Sequence, residues 1–215
     1  MSRIRKKLKR YEIISLAIYF MLAILFHFAA GEQLYYKASK GNLKSIQGST
    51  STYEITNHFT VKQEFTSKSD EIQYISLQFS TFGRVNSGEV NVQLVDDSNK
   101  LLIDKDIDIS ALSDGGFVDI NSNEPISGLL NKKLSIIISS ENGENGNAVA
   151  SWYNPKLNVD GQQLYLNGEK SDGTICFKTY GRDHVKYSEY YWYFVLIGAV
   201  LILSLIHIYR LGSRR

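Results

Sequence analysis

The stretch IQYISLQFSTFGRVNSGEVNVQLVD, residues 72–96, decides the fold. In its first half Ile75, Leu77 and Phe79 alternate with Ser76, Gln78 and Ser80, and in its second half Val90, Val92 and Leu94 alternate with Asn91 and Gln93. A period of two puts apolar side chains on one face of a strand and polar ones on the other, so both halves read as half-buried strands. Outward from here the pattern predicts strands over 53–65, 72–82, 89–96, 100–109, 116–120, 133–140, 148–153, 162–166 and 173–180. The breaks have turn chemistry: DDSN at 96–99, SDGG at 113–116, NGENGN at 142–147 and the pair Asn167-Gly168 all tolerate positive φ. The two prolines, Pro125 and Pro155, read as lying between strands, where no ladder N–H is needed. No helical period longer than two turns appears between Tyr53 and Tyr180. Eight or nine short strands at this spacing predict an all-β, antiparallel sandwich of the jelly-roll kind.

The two ends read differently. Ile13–Ala30 is eighteen residues without Asp, Glu, Lys or Arg, about 27 Å as a helix, and Tyr190–Tyr209 is twenty, about 30 Å. Residues 1–12 carry six Lys/Arg against Glu12, and the last six carry Arg210, Arg214 and Arg215. Of the chain's 24 bases and 22 acids, 15 and 21 remain in between, so the middle is acidic while the formal total is +2. Bases beside apolar runs follow the positive-inside rule and predict two transmembrane helices with both termini cytoplasmic and the middle extracytoplasmic. The expected division is a tail at 1–12, a first span at 13–30, the sandwich at 31–189, a second span at 190–209 and a tail at 210–215. Arg10, Trp192, Tyr193 and Arg210 are the expected anchors at the headgroups, so membrane lipid is a predicted partner. Cleavage after the first run is disfavoured by its length and by bulky Phe28 three residues before Gly31. His27 and His207 fall at opposite depths of their spans and so form no pair. Nucleic acid is not expected as a partner, since the bases avoid the folded middle.

Chemistry is sparse. Cys176 stands alone, so neither an internal disulfide nor a multi-cysteine metal site is available. There is no nucleophile elbow, zinc-protease motif, P-loop or dinucleotide fingerprint, and His58 and His184 are isolated in sequence. A non-enzymatic protein without a cofactor is therefore expected. Asp104, Asp106 and Asp108 alternate on one face of a predicted strand, a candidate Ca²⁺ site weighed against a solvated strand face. An EF-hand is excluded, because position 6 of that count is Ile109 and position 12 is Gly115. Trp152, Tyr153 and Tyr165 are candidates to stack on sugar rings, with Arg84 and Asn86 as hydrogen-bonding neighbours, weighed against burial of the aromatics in the core.

The segments VKQEF (61–65), ISLQFSTFGRVNSGEVNVQLVD (75–96), LLIDKDIDISAL (101–112), ISGLLNKKLSIIISS (126–140), AVASWY (148–153) and GTICFKTY (173–180) resemble, in their order, a galactose-binding-like jelly roll. Such modules occur in bacterial membrane proteins of envelope-polysaccharide assembly. The resemblance implies a module that follows a first transmembrane helix, projects outside the cell and contacts saccharide or assembly proteins. Larger relatives continue into further spans bearing a glycosyl-transfer or polymerase site, whereas this chain stops at Ser213-Arg214-Arg215. It is then either an accessory protein or the leading fragment of a longer transferase. A third reading, an extracytoplasmic sensor, needs a separate cytoplasmic partner, because tails of this length hold no signalling domain.

Overall fold

The structure is a computed structural model and describes residues 2–29, 36–40, 48–184 and 187–213. It divides into two units, one from the chain ends, Met1–Lys37 and His184–Arg215, and one from Ala38–Asp183.

The end unit holds two helices, α1 (Ser2–Ala29) and α2 (Tyr187–Ser213). Leu, Ala, Ile and Phe runs without proline or an internal glycine in α1 favour continuous helix, so it takes in the basic stretch expected as a tail. The helices touch where the Tyr19 hydroxyl donates to the Phe194 carbonyl. Gly198 makes room, because a Cβ there would stand 3.0 Å from the Tyr19 hydroxyl. Among the described residues no helix is long and apolar enough to cross a membrane, so the structure does not support the spans expected at 13–30 and 190–209. Ala30 and the stretch 31–35 lie outside the described residues.

The second unit is a two-sheet antiparallel sandwich, as the alternation predicts. Its strands are β1 (Tyr36–Lys40), β2 (Thr50–Ser51), β3 (Val61–Thr66), β4 (Glu71–Ser80), β5 (Glu89–Asp96), β6 (Leu101–Asp108), β7 (Phe117–Ser127), β8 (Lys133–Ser139), β9 (Ala150–Asn154), β10 (Gln162–Leu166), β11 (Glu169–Ser171), β12 (Thr174–Ile175) and β13 (Phe177–His184). One sheet has the order β1-β13-β4-β9-β12, with β7 beside β4 and β2 beside β9; the other runs β11-β10-β3-β8-β5-β6. Val61, Phe65, Val92, Leu94, Ile136 and Ile138 from the second sheet face Ile75, Leu77, Phe79, Ile175 and Phe177 from the first, all buried. Phe65 and Phe177 meet across the core at 5.0 Å between ring centres. Gln63 joins the layers, since its buried Oε1 accepts from the Ile175 N–H at 3.0 Å. Such a bond supplies a partner to a group whose isolation would be costly.

Departures from the predicted strands have local causes. The run 53–65 is strand only from Val61: Thr52 and Ile55 donate backbone N–H groups to Ser151 on β9 and to Val149 just before it, and a turn at Thr56–Phe59 then carries the chain to the second sheet. The run 173–180 is broken at Cys176, whose N–H reaches the Trp152 carbonyl at 2.7 Å and whose carbonyl accepts from Gln78 at 3.1 Å. The strand at 116–120 extends to Ser127 and takes in Pro125, contrary to the expectation that both prolines lie between strands. Pro125 is tolerated because the β4–β7 register shifts between Ile72 and Tyr74, leaving residues 122–125 out of the paired ladder.

Candidate functional site

Three segments distant in sequence converge at the turn where the chain changes sheets. They are 52–59, the β4–β5 connection around Phe82-Gly83-Arg84, and the loop around Asn145 after β8. Together they line a cleft of about 440 Å³ with Thr52, Tyr53, Glu54, Thr56, Phe59, Phe82, Arg84 and Asn145. The Glu54 carboxylate ties the three together: it pairs with the Arg84 guanidinium and accepts the Gly146 N–H at 3.0 Å. Arg84 also donates to the Asn86 side-chain oxygen at 3.1 Å and the Ala148 carbonyl at 3.2 Å. These bonds fix the guanidinium and use much of its donor capacity.

Two of the three aromatic rings at this cleft are exposed. Tyr53 is 76% exposed and meets Phe59 edge-on at 5.7 Å, while Phe82 is 44% exposed with the Arg84 guanidinium 4.9 Å over its ring. Large exposed rings beside fixed polar groups suit a ligand with an apolar face and a hydroxylated edge. The β4–β5 connection is braced from outside the cleft by Asp114, whose carboxylate accepts the Thr81 N–H at 2.7 Å and the Ser80 hydroxyl at 3.0 Å. The Thr81 N–H, together with those hydroxyl and neighbouring backbone bonds, holds the Asp114 carboxyl below the usual carboxylate range.

Of the residues singled out in the sequence, Arg84 and Asn86 belong here, Arg84 as lining and buried Asn86 as its support, with Asn86 also donating to the Thr81 carbonyl at 3.3 Å. Trp152, Tyr153 and Tyr165 are not brought to it. Trp152 and Tyr153 lie on β9, paired with β2, and Trp152 lies against Gly48, where an added Cβ would stand 3.1 Å from it. Tyr153 packs against the core. Among the described residues Trp152 Nε1 finds no acceptor. Tyr165 lies on β10 in the other sheet, with its hydroxyl 3.5 Å from Glu64 Oε2 and Lys62 5.3 Å from its ring centre. Tyr53, Glu54, Phe82 and Asn145 were missed. Phe82-Gly83 ends an alternating run and NGENGN is turn chemistry, but neither signal says that the two loops meet.

Asp104, Asp106 and Asp108 do share an exposed face of β6, yet they do not converge on a cation. Asn91 Nδ2 donates to Asp104 at 2.9 Å and to Asp106 at 2.8 Å, and Gln93 adds a bond to Asp104 at 3.3 Å. Asp108 accepts the Ser110 N–H at 2.9 Å and caps the 3₁₀ turn Ile109–Ala111. Amide donors thus occupy lone pairs a hard cation would need. Among the described residues no group of three His, Cys, Asp or Glu could hold a metal ion. Cys176 is buried, and burial pushes its thiol up to about 11, which makes it a poor nucleophile at neutral pH. Of the expected anchors, Trp192 is 64% and Tyr193 69% exposed and Arg210 lies in the last turn of α2, while the Arg10 side chain lies outside the description.

No family model matches the chain, and no curated protein matches it. Among solved structures it is similar to the VP2 subviral particle of infectious bursal disease virus, at 12% identity and a TM-score of 0.20, over 73% of this chain and 40% of that one. A structure of the Gx strain of the same virus matches at 14% identity and a TM-score of 0.18, over 71% of this chain and 34% of that one. The chain therefore spans less than half the length of these proteins. A likeness this slight decides nothing about fold or function.

Proposed function

We propose that the chain is a bacterial, membrane-anchored, extracytoplasmic β-sandwich protein that binds saccharide as a non-enzymatic accessory component of envelope-polysaccharide assembly. The observation that carries the binding reading is the cleft that sets exposed Tyr53 and Phe82 beside the fixed Glu54–Arg84 pair. A pyranose ring has the matching chemistry, with an apolar C–H face for the rings and hydroxyls for Thr56 and Asn145. The segment order resembling a galactose-binding-like jelly roll supports the same class.

Support for the anchor comes from the ends. The uncharged runs 13–30 and 190–209 fall largely on helices, and side chains such as Leu196 and Leu203, 63% and 65% exposed, need a non-aqueous neighbour. The basic flanks of both runs support a reading with both termini in the cytoplasm.

The test is a titration of the full chain in lipid nanodiscs, which avoid glycoside detergents, with oligosaccharide fragments of an envelope polysaccharide. Binding is expected, with Phe82→Ala and Tyr53→Ala each weakening it up to about tenfold, the scale of one ring contact. Trp152→Ala is expected to leave affinity unchanged. Loss of affinity on Trp152→Ala with no effect of Phe82→Ala would move the site to β9.

A further inference from the structure

The turn that carries Phe82 is built against that residue's own preference. Residues 81–84 close through the Arg84 N–H, which donates to the Thr81 carbonyl at 3.3 Å, with φ of 58° at Phe82 and 69° at Gly83. Positive φ at both central positions is the pattern of a type I′ turn, for which Asn-Gly is the favoured pair. Gly83 suits it. Phe82 does not, because a bulky side chain enters the left-handed region only where its surroundings over-determine the backbone.

The surroundings do so here. Asp114 takes the Thr81 N–H and the Ser80 hydroxyl, and the Ser80 oxygen in turn accepts the Phe82 N–H at 3.3 Å. Ser80 and Thr81 are buried, so these bonds anchor the turn from the inside. What emerges on the cleft side is the Phe82 ring. Asn at 82 would make the same turn with less strain and no ring, so the strain is intelligible only through what the ring does.

We propose that Asp114 is a positioning residue for the cleft: it holds the 81–84 turn in the strained form that presents the Phe82 ring as an apolar wall to a bound pyranose. This rests on reading the cleft as a saccharide site. The prediction separates from that reading because the clamp has its own observable, the protection of the Thr81 amide.

The experiment compares wild type, Asp114→Ala, Asp114→Asn, Phe82→Gly and the Asp114→Ala/Phe82→Gly double variant as full chains in nanodiscs. Amide hydrogen exchange is followed without ligand, and affinity is read by titration with a methyl hexopyranoside. Asp114→Ala is expected to speed Thr81 exchange by about tenfold or more and to weaken pyranose binding by about tenfold, because the presenting form becomes a minor one. Asp114→Asn, which keeps an acceptor oxygen, is expected to recover most of both. In the double variant the affinity losses are expected not to add, since without the ring Asp114 has nothing to present. Unchanged Thr81 exchange in Asp114→Ala, unchanged affinity despite faster exchange, or additive losses would each overturn the assignment. If wild type binds no pyranose while Asp114→Ala still frees the Thr81 amide, the saccharide reading falls and takes the purpose assigned to the turn with it.

Discussion

Phe82 keeps a backbone angle that costs a bulky side chain about 1–3 kcal/mol. Replacing it with the residue the turn prefers should therefore trade function for stability. Phe82→Asn is expected to raise the unfolding free energy by about 1 kcal/mol, read as a higher denaturant midpoint at unchanged slope, while pyranose binding falls. Asp114 makes a second prediction through pH. Its folded-state pKa is lowered, so its contribution is fully present above its unfolded value of about 3.9 and is lost as pH falls through the folded value. The melting-temperature gap between wild type and Asp114→Asn should therefore be widest near neutral pH and close as pH falls through the lowered folded-state value. A gap independent of pH would show that the carboxylate charge does not support the turn. Arg84 and Asn86 were recognisable from their residue types in a polar loop. For Trp152 the sequence left stacking and burial both open, because an aromatic at a strand end looks the same in sequence whether it lies against Gly48 or faces water.

Strand β13 shows how one element is held in register. A Cβ at Gly181 would lie 1.7 Å from the Glu71 carbonyl, so only glycine lets β13 approach β4 there. The next residue, Arg182, grips the buried Glu71 carboxylate with Nε at 3.0 Å and Nη2 at 3.3 Å. Arg182→Ala strands that carboxylate and is expected to cost about 2 kcal/mol, measured by chemical unfolding. Arg182→Lys, which cannot make the two-pronged contact, should recover less than half. Other elements were plain in sequence: β5 and β10 have their predicted bounds, and Asn167 and Gly168, with φ of 52° and 82°, form the β10–β11 hairpin. The second half of β7, NSNEPIS, has no alternation to read and is tied to β4 only at its ends, through Asn121 and through Ile126 and Ser127.

The molecule as a whole combines a β-sandwich with terminal helices whose sequences carry uncharged apolar runs flanked by bases. On the proposed reading, with both termini cytoplasmic, protease added to intact cells should cut within 40–180, whereas tags fused at either terminus should stay protected until the cells are opened. Protection of the sandwich, or cleavage of a terminal tag, would remove the anchored, extracytoplasmic reading. The class of fold was readable from residues 72–96 because period-two burial is a local property: each apolar side chain declares its face through its neighbours two positions away. The cleft was not readable, because Glu54, Arg84 and Gly146 are separated by 30 and 92 residues from Glu54 along the chain. They meet only once the strands between them have paired, and no local pattern encodes that meeting. Strand identity was thus written into alternation and turn residues, whereas the company each loop keeps was settled by the order in which strands enter two sheets.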